Sequence, residues 1–290
     1  MPSLYQELHK ESPLQIVGCI NAYVALMAKA SGFRAIYLSG AGVANSSYGL
    51  PDLGLTTLDN VLEDCRRITS TVDLPLLVDI DTGWGNALMI ARTIKEMIRS
   101  GVAAVHMEDQ VAEKRCGHRP GKALCSKEEM CDRIKAAVDA KTDSNFVLMA
   151  RTDALASEGL EASLERARAY KEAGADMLFA EAVVNLEQYT AFKEVTEIPV
   201  LANITEFGQT PIWSKEELKS AGVDMILYPL SANRAMNQAA FNVFQDIRVN
   251  GQQSASLSQM QTRDQLYEFL NYHKYEAAFD ALLSESSGSK

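Results

Sequence analysis

Residues 76–109 read LLVDIDTGWGNALMIARTIKEMIRSGVAAVHMED. An apolar run, Leu76–Asp81, opens the stretch and a second, Ala103–Glu108, closes it. Between them Asn86–Arg99 carries apolar residues at helical spacing, and Gly101 stands where a helix C-terminus favours glycine. Short runs that are apolar almost without interruption describe strands covered on both faces, as in parallel sheets. A strand, a helix and a second strand in this order make a parallel crossover unit.

The same alternation runs outward in both directions. Strands are predicted at Leu14–Ile20, Ala35–Ser39, Leu76–Asp81, Ala103–Glu108, Phe146–Arg151, Met177–Glu181, Pro199–Asn203 and Met225–Tyr228. Helices are predicted at Ala22–Ala30, Thr57–Thr71, Asn86–Arg99, Lys127–Lys141, Leu160–Ala173, Leu186–Val195, Ser214–Ser220 and Ala232–Val249. Ser126 and Ser214 precede two of these, with Glu129 and Glu217 at capping-box spacing. Eight β-then-α units predict an α/β fold, a single (β/α)8 TIM-type barrel. The rival, a doubly wound open sheet, announces itself by GxGxxG after its first strand. Here Asn21-Ala22-Tyr23 follows the first strand and Ser39-Gly40-Ala41-Gly42 the second, and neither fits. The barrel is expected over 1–250. Beyond it, Gly251–Ser258 reads as a polar linker, Arg263–Leu283 has helical spacing, and Ser284–Lys290 is expected to be disordered. The C-terminal extension 251–290 would either cover the barrel bottom or pack on a partner subunit.

Composition narrows the classes. Of 290 residues, 47% are apolar and 23% charged, the mixture of a soluble globular protein. Lys plus Arg number 28 against 38 Asp plus Glu, and the net charge of −10 argues against nucleic acid and anionic membranes as partners. It would also argue against an anionic substrate, were net charge a guide to a local pocket. Met1–Lys10 is polar, and no apolar run approaches the roughly 18–20 residues that span a bilayer. The cysteines, Cys19, Cys65, Cys116, Cys125 and Cys131, are odd in number and form no CxxC, which fits a reducing cytoplasm. His9, His106, His118 and His273 are too scattered for a closed zinc site.

In such a barrel the active site lies at the carboxyl ends of the strands. Those ends carry Asn21; Ser39 and Gly40; Asp79 and Asp81; Glu108 and Asp109; Arg151 and Asp153; Glu181; Asn203 and Thr205; and, past Tyr228, Ser231 and Arg234. Asp79 and Asp81, two apart on one strand, are expected to share a face. With Glu108 one strand over and Asp52 in a preceding loop they would repel unless a cation sat between them, and oxygen ligands without histidine select Mg2+, or Mn2+. The bland alternative is helix capping by Asp81 and a solvated Asp79.

The loop Lys114-Arg115-Cys116-Gly117-His118-Arg119-Pro120-Gly121-Lys122 places one thiol among two lysines, two arginines and a histidine. Such a field lowers a thiol pKa, and the glycines let the loop bend as a lid. The alternative is a solvated basic loop with an incidental cysteine. Cys19, Cys65 and Cys131 read as fillers, while Cys125 is ambiguous. Arg151, Arg234 and Arg263 suit carboxylate binding, although Arg263 equally suits an exposed helix start. No strand ends in lysine, which disfavours a Schiff-base aldolase, and no phosphate-cradling glycine loop is evident near strands seven and eight. A divalent ion, a lid thiol and arginines together suit C–C scission of a small hydroxy polycarboxylate, with the thiol protonating the carbanion.

Lys114-Arg115-Cys116-Gly117-His118 resembles the cysteine loop of the isocitrate lyase and phosphoenolpyruvate mutase superfamily. Longer stretches, Cys116–Lys122, Ser126–Met130, Met149–Ala154, Leu201–Gly208, Tyr228–Ala232 and Met260–Arg263, resemble its methylisocitrate-cleaving branch, and the likeness runs from about residue 5 to about 283. The resemblance implies cleavage of 2-methylisocitrate to pyruvate and succinate with Mg2+, in the methylcitrate route of propionate breakdown. It implies Asp79 and Asp81 at the metal, Asp52 and Glu108 in its hydrated shell, and Cys116 as proton donor. It implies substrate contacts from Ser39, Gly40, Ala41, Cys116, Gly117, Arg151, Glu181, Asn203, Ile204, Thr205, Arg234 and Arg263. Tyr37, His118 and Glu181 would share the catalytic work, the base being left open. A cytoplasmic homotetramer exchanging C-terminal helices is implied too. The superfamily's Ser-Gly-Gly is Ser39-Gly40-Ala41 here, a change that is harmless unless Ala41 needs a positive φ. Isocitrate cleavage to glyoxylate and succinate is the nearest alternative, one methyl group away.

Overall fold

The computed structural model describes residues 3–115, 117 and 121–287, of which 285–287 contribute backbone alone. The roles expected of Cys116 and His118 therefore lie outside the described residues. Eight parallel strands close into a barrel in chain order. They are β1 (Leu14–Gly18), β2 (Ala35–Leu38), β3 (Leu76–Asp79), β4 (Ala104–Glu108), β5 (Val147–Thr152), β6 (Met177–Ala180), β7 (Val200–Asn203) and β8 (Met225–Tyr228). Each is followed by helix, as the alternation of apolar runs and helical spacing predicts.

The helices begin and end where the sequence signals them. Asn21, Thr57, Asn86, Ser126, Asn185 and Ser214 all accept a backbone N–H at an N-cap. Gly101 and Gly174 close two helices at φ +82° and +107°, a region open to glycine at no steric cost. The helix after β5 starts earlier than its spacing suggests, at Leu155, but is broken at Gly159 (φ +81°, ψ +179°), so the regular segment does begin at Leu160.

Alternate residues of each strand point inward and fill the barrel: Leu14 and Ile16, Ala35 and Tyr37, Leu77, Ala104, Val147 and Met149, Met177 and Phe179, Leu201, Met225 and Leu227. The intervening residues pack outward under the helices, as Leu178, Val200, Ala202 and Ile226 do. The short helix Leu4–Leu8 joins the interior cluster through buried Leu4, with Tyr5 and Leu8 against it. It closes the amino-terminal end of the barrel.

The chain divides into two compact units, 1–233 and 234–290. The second holds most of the helix Ser231–Asn250, a 3-10 turn Ser254–Gln259 where a linker is expected, and the helices Arg263–Leu270 and Tyr272–Ser287. The last helix continues through the first four residues of the segment expected to be disordered. Among the described residues no helix is long and apolar enough to cross a membrane.

Candidate active site

The inward column of each strand, followed upward, leaves the apolar core and becomes polar. On β3 Leu77 is succeeded by Asp79, on β4 Ala104 by His106 and Glu108, and on β5 Met149 by Arg151. On β6 Phe179 leads to Glu181 and on β7 Leu201 to Asn203. Period-two geometry thus delivers six polar side chains to the carboxyl-terminal mouth, all of them buried.

Asp81 arrives by another route. The strand ends at Asp79, and Asp81 takes φ +48° in the following turn, its N–H donating to Asp79 Oδ1 at 2.9 Å. A shared strand face is therefore not what joins these two carboxylates; the turn folds one back onto the other. Helix capping does not occupy Asp81 either, since Asn86 caps the helix that follows. Gly40 N–H approaches Asp79 Oδ2 at 3.3 Å, and Ser39 caps the helical turn Gly40–Gly42. Ala41 lies within that turn and is not among the positive-φ residues, so a side chain costs nothing there.

Lys114 is expected in a loop whose cations surround the Cys116 thiol or, in the alternative, are solvated. Instead its side chain is 5% exposed, and its Nζ lies 2.6 Å from Asp52 Oδ1 and 2.6 Å from Asp81 Oδ1. Burial works against its charge, but Asp81, Asp79, Glu108 and Asp52 overwhelm that cost and hold the ammonium firmly protonated. Burial, reinforced by Asp79, pushes Asp81 up to about 7 despite Lys114. Burial resists the charge on Asp79 too, but His106, Lys114 and Arg151 favour it, and the carboxyl is held below its usual range. Glu108 is raised well above its usual range by burial, against the pull of Arg151, and its Oε1 has no hydrogen-bond partner among the described residues.

Among the described residues no three His, Cys, Asp or Glu side chains converge as a ready ligand cage. Mg2+ does not need one, because it is commonly held by one or two carboxylates while keeping several waters. Asp79 and Asp81, with the unpartnered Glu108 oxygen and Asp52 nearby, fit such an ion. The donor set is all oxygen, and Lys114 Nζ already pairs with Asp52 and Asp81, so the ion would share these carboxylates with that ammonium or displace it.

Arg151 is the hub of the other half. It donates to Asp153 through Nε (2.9 Å) and Nη2 (3.2 Å), pairs with Glu108 at 3.3 Å and Glu181 at 3.9 Å, and lies over the Phe179 ring at 5.2 Å. Asn203 Nδ2 donates to Glu181 Oε2 at 3.2 Å. Thr205 is buried just past β7. Gly117 is described, and it is close to this group. A Cβ built on it would fall 2.4 Å from Arg151 Nη2 and 2.5 Å from Glu181 Oε1, where no real Cβ sits. Gly117→Ala is accordingly expected to lower kcat/KM about 100-fold by displacing Arg151 or the loop, with little change in melting temperature. Steady-state kinetics and a thermal melt check this, and unaltered kcat/KM would count against Gly117 lying at the working site.

Tyr37 faces inward on β2, its hydroxyl 3.0 Å from His106 Nε2. Burial raises the phenol well above its usual range and brings His106 down to about 4, so both are neutral near pH 7. In the sequence His106 is one of four scattered histidines. Its position two residues before Glu108 on an inward column was the signal.

The remaining expected residues divide between the two units. The Ile204 side chain packs in the layer between strands and helices, and its N–H donates to Leu227 O, so its side chain is turned away from the mouth. Arg234 and Arg263 belong to the second unit and are exposed there, Arg263 as first residue of a helix capped by Thr262. Asp109, beside Glu108, points outward. It accepts from Thr152 Oγ1, the Asp153 N–H and the Tyr170 hydroxyl at 2.8–2.9 Å, and ties β4 to β5 and to the helix Leu155–Glu172.

The chain belongs to the phosphoenolpyruvate phosphomutase family, whose model matches residues 4–248, and its identity to curated relatives makes it a carbon–carbon lyase. Among curated proteins it is similar to the 2-methylisocitrate lyase of Shewanella oneidensis, at 64% identity over 97% of this chain and 96% of that one. The 2-methylisocitrate lyase of Escherichia coli strain K12 is 60% identical over 96% and 95% respectively. Among solved structures, a 2,3-dimethylmalate lyase of the same superfamily superposes with a TM-score of 0.88 at 34% identity, covering 96% of this chain and 95% of that one. A phosphonopyruvate hydrolase in complex with oxalate and Mg2+ superposes with a TM-score of 0.82 at 28% identity, covering 94% and 95%.

Proposed function

We propose that this chain cleaves 2-methylisocitrate to pyruvate and succinate, the C–C scission of the methylcitrate route of propionate breakdown. The 64% identity, over 97% of the chain, to a relative named for that activity carries the reading. Asp79 and Asp81 would hold Mg2+, with Asp52 and Glu108 reaching it through water. When bound, the ion would supply Lewis acidity at the α-hydroxy carboxylate of the substrate.

The rest falls to the chain. Ser39, Gly40 and Ala41 present a helical turn to one substrate carboxylate. The hydroxyl proton leaves to a base, the C2–C3 bond breaks, and its electron pair passes to C3 and into the neighbouring carboxylate. Arg151, Asn203 and Thr205 supply donors at the mouth for that charge. Cys116 then gives a proton to C3, so that one proton is lost from oxygen and one gained on carbon. Tyr37, kept as a neutral phenol, is suited to donate rather than accept; His118 and Glu181 remain proposed partners in proton handling. Arg234 and Arg263 are proposed to reach the remaining carboxylates.

Residues 234–290 contain no buried apolar side chain among those described, and Phe244 (68% exposed) and Tyr275 (74%) lie bare. A face of this kind is completed by association, and a homotetramer that exchanges these helices would supply the cover. Free thiols at Cys19, Cys65, Cys125 and Cys131 accord with a cytoplasmic place of action.

The deciding experiment assays purified protein on 2-methylisocitrate and isocitrate side by side, with Mg2+ and then with EDTA. Equal or greater turnover of isocitrate, giving glyoxylate, would sink the assignment, and activity indifferent to EDTA would sink the metal. A second expectation concerns pH. A metal takes the ionised carboxylate, and Asp81 sits at about 7. Protons therefore compete on the acid side, and Mg2+ affinity is expected to rise about tenfold from pH 6 to pH 8. Calorimetric titration at both values measures it, and a flat profile refutes it.

A further inference from the structure

The loop between β4 and the helix Lys127–Asp139 is closed at its base by a short antiparallel ladder. Cys125 N–H donates to Asp109 O at 2.9 Å, Val111 N–H to Ala123 O at 3.0 Å, and Gln110 bridges Leu124. These rungs join the two ends of the loop. Two buried side chains act above them.

Gln110 is fully buried, and its amide turns back into its own loop. Its Nε2 donates to Arg115 O at 2.9 Å, while the Arg115 N–H donates to its Oε1 at 2.9 Å. Both polar ends of one amide thus grip one residue's main chain, as a strand neighbour would. Arg133 Nη1 donates to the Gln110 carbonyl at 2.9 Å and fixes the base from behind.

Lys122, its side chain 3% exposed, works from the far side. Its Nζ donates to Gly117 O at 2.7 Å and to Asp153 Oδ1 at 2.9 Å. Asp153 is itself locked by Arg151 and, through its N–H, by Asp109. Gly117 is thereby tied to the carboxylate that also sets the Arg151 guanidinium.

Arg115 and Gly117 are the two covalent neighbours of residue 116. We infer that Gln110 and Lys122 are positioning residues for Cys116, acting through the main chain on either side of it; this rests on the reading of Cys116 as the proton donor. An ammonium buried merely to close a loop is a poor investment, because its desolvation costs several kcal/mol. An error of about 1 Å in a reacting group, in contrast, costs about 100-fold in rate.

The test uses full-length, Mg2+-loaded protein carrying Gln110→Leu, Gln110→Glu, Lys122→Met or Lys122→Arg, with Cys116→Ala in parallel. Three quantities are read: kcat and KM on 2-methylisocitrate, melting temperature, and the rate of Cys116 alkylation by iodoacetamide relative to Cys131. Gln110→Leu and Lys122→Met are expected to lower kcat about 30- to 100-fold, with KM within about threefold and an altered alkylation ratio. Gln110→Glu keeps the acceptor but loses the donor, and should fall between; Lys122→Arg should recover much of the loss. A fall in melting temperature with kcat unchanged overturns the inference, as does a loss carried wholly by KM. Should the apolar variants fail to fold, wild-type kcat in Gln110→Glu overturns it equally. If Cys116→Ala retains wild-type kcat, the proton-donor reading fails. If Cys116→Ala is inactive while Gln110→Leu and Lys122→Met are fully active, the positioning inference alone fails.

Discussion

Arg151→Met is expected to abolish measurable turnover, a loss of about 1000-fold or more in kcat, and to destabilise the fold by about 3–5 kcal/mol at pH 8. Both effects have one origin. The guanidinium stands within 4 Å of Glu108, Asp153 and Glu181, and all three carboxyls are buried. Removing the cation takes from Glu108 its ion-pair partner and leaves Asp153 to Lys122 and Glu181 to Asn203, and breaking a buried pair from one side is the costly way to break it. The pH dependence follows from Glu108. Its folded pKa is already raised by burial, and without Arg151 it rises further. A carboxyl whose folded value exceeds its unfolded value gives stability that is present below the unfolded value and lost as pH climbs. The deficit of Arg151→Met against the parent should accordingly stay constant while Glu108 is protonated in both folded proteins and widen once pH climbs past its raised value in the parent. Urea unfolding across a pH series measures the gap, and a gap that narrows as pH climbs would contradict the account. Arg151→Lys should restore most of the stability and little of the activity, because a point ammonium cannot bridge three carboxylates as a planar fork does.

The second large effect separates two neighbouring cysteines. Cys116→Ser is expected to lower kcat about 100- to 10,000-fold, the range general acid catalysis covers, since a hydroxyl gives up its proton far less readily than a thiol. Cys125→Ser should stay within about twofold of the parent. Cys125 is buried, burial pushes its thiol up to about 11, and its carbonyl is held by Arg166 Nη1 at 3.1 Å. Such a thiol is a structural filler. Steady-state kcat of the two variants decides, and comparable losses in both would remove Cys116 from its role.

The barrel is legible because each strand announces itself as an apolar run and each helix by caps and spacing. The strand ends slipped by a residue or two: Glu181 continues the inward column past Ala180, whereas past Asp79 a turn brings Asp81 back onto it. Arg151, Asp79, Glu108 and Asn203 were readable as strand-end residues. Lys114 was not, because nothing local distinguishes a lysine that solvates a loop from one that folds under it to meet Asp52 and Asp81. The same holds for Lys122 and Asp153. These pairs also change the reading of the basic loop, since two of its four Lys and Arg are committed to carboxylates rather than to the field around a thiol. Asp109 and Glu108 form the opposite case. Adjacent in sequence and equally acidic, they part company through period-two geometry alone, one inward to the mouth and one outward to Tyr170 and Thr152.

That parting makes the site intolerant of length changes in a way that composition hides. Deleting Val105 would leave a strand of the same apolar character that could still pair with β3 and β5. Yet every side chain beyond the deletion would change face, bringing Asp109 to the mouth and sending Glu108 under the helices. Each strand of this barrel is therefore a counted segment, in which a single lost codon exchanges the chemistry for the scaffold.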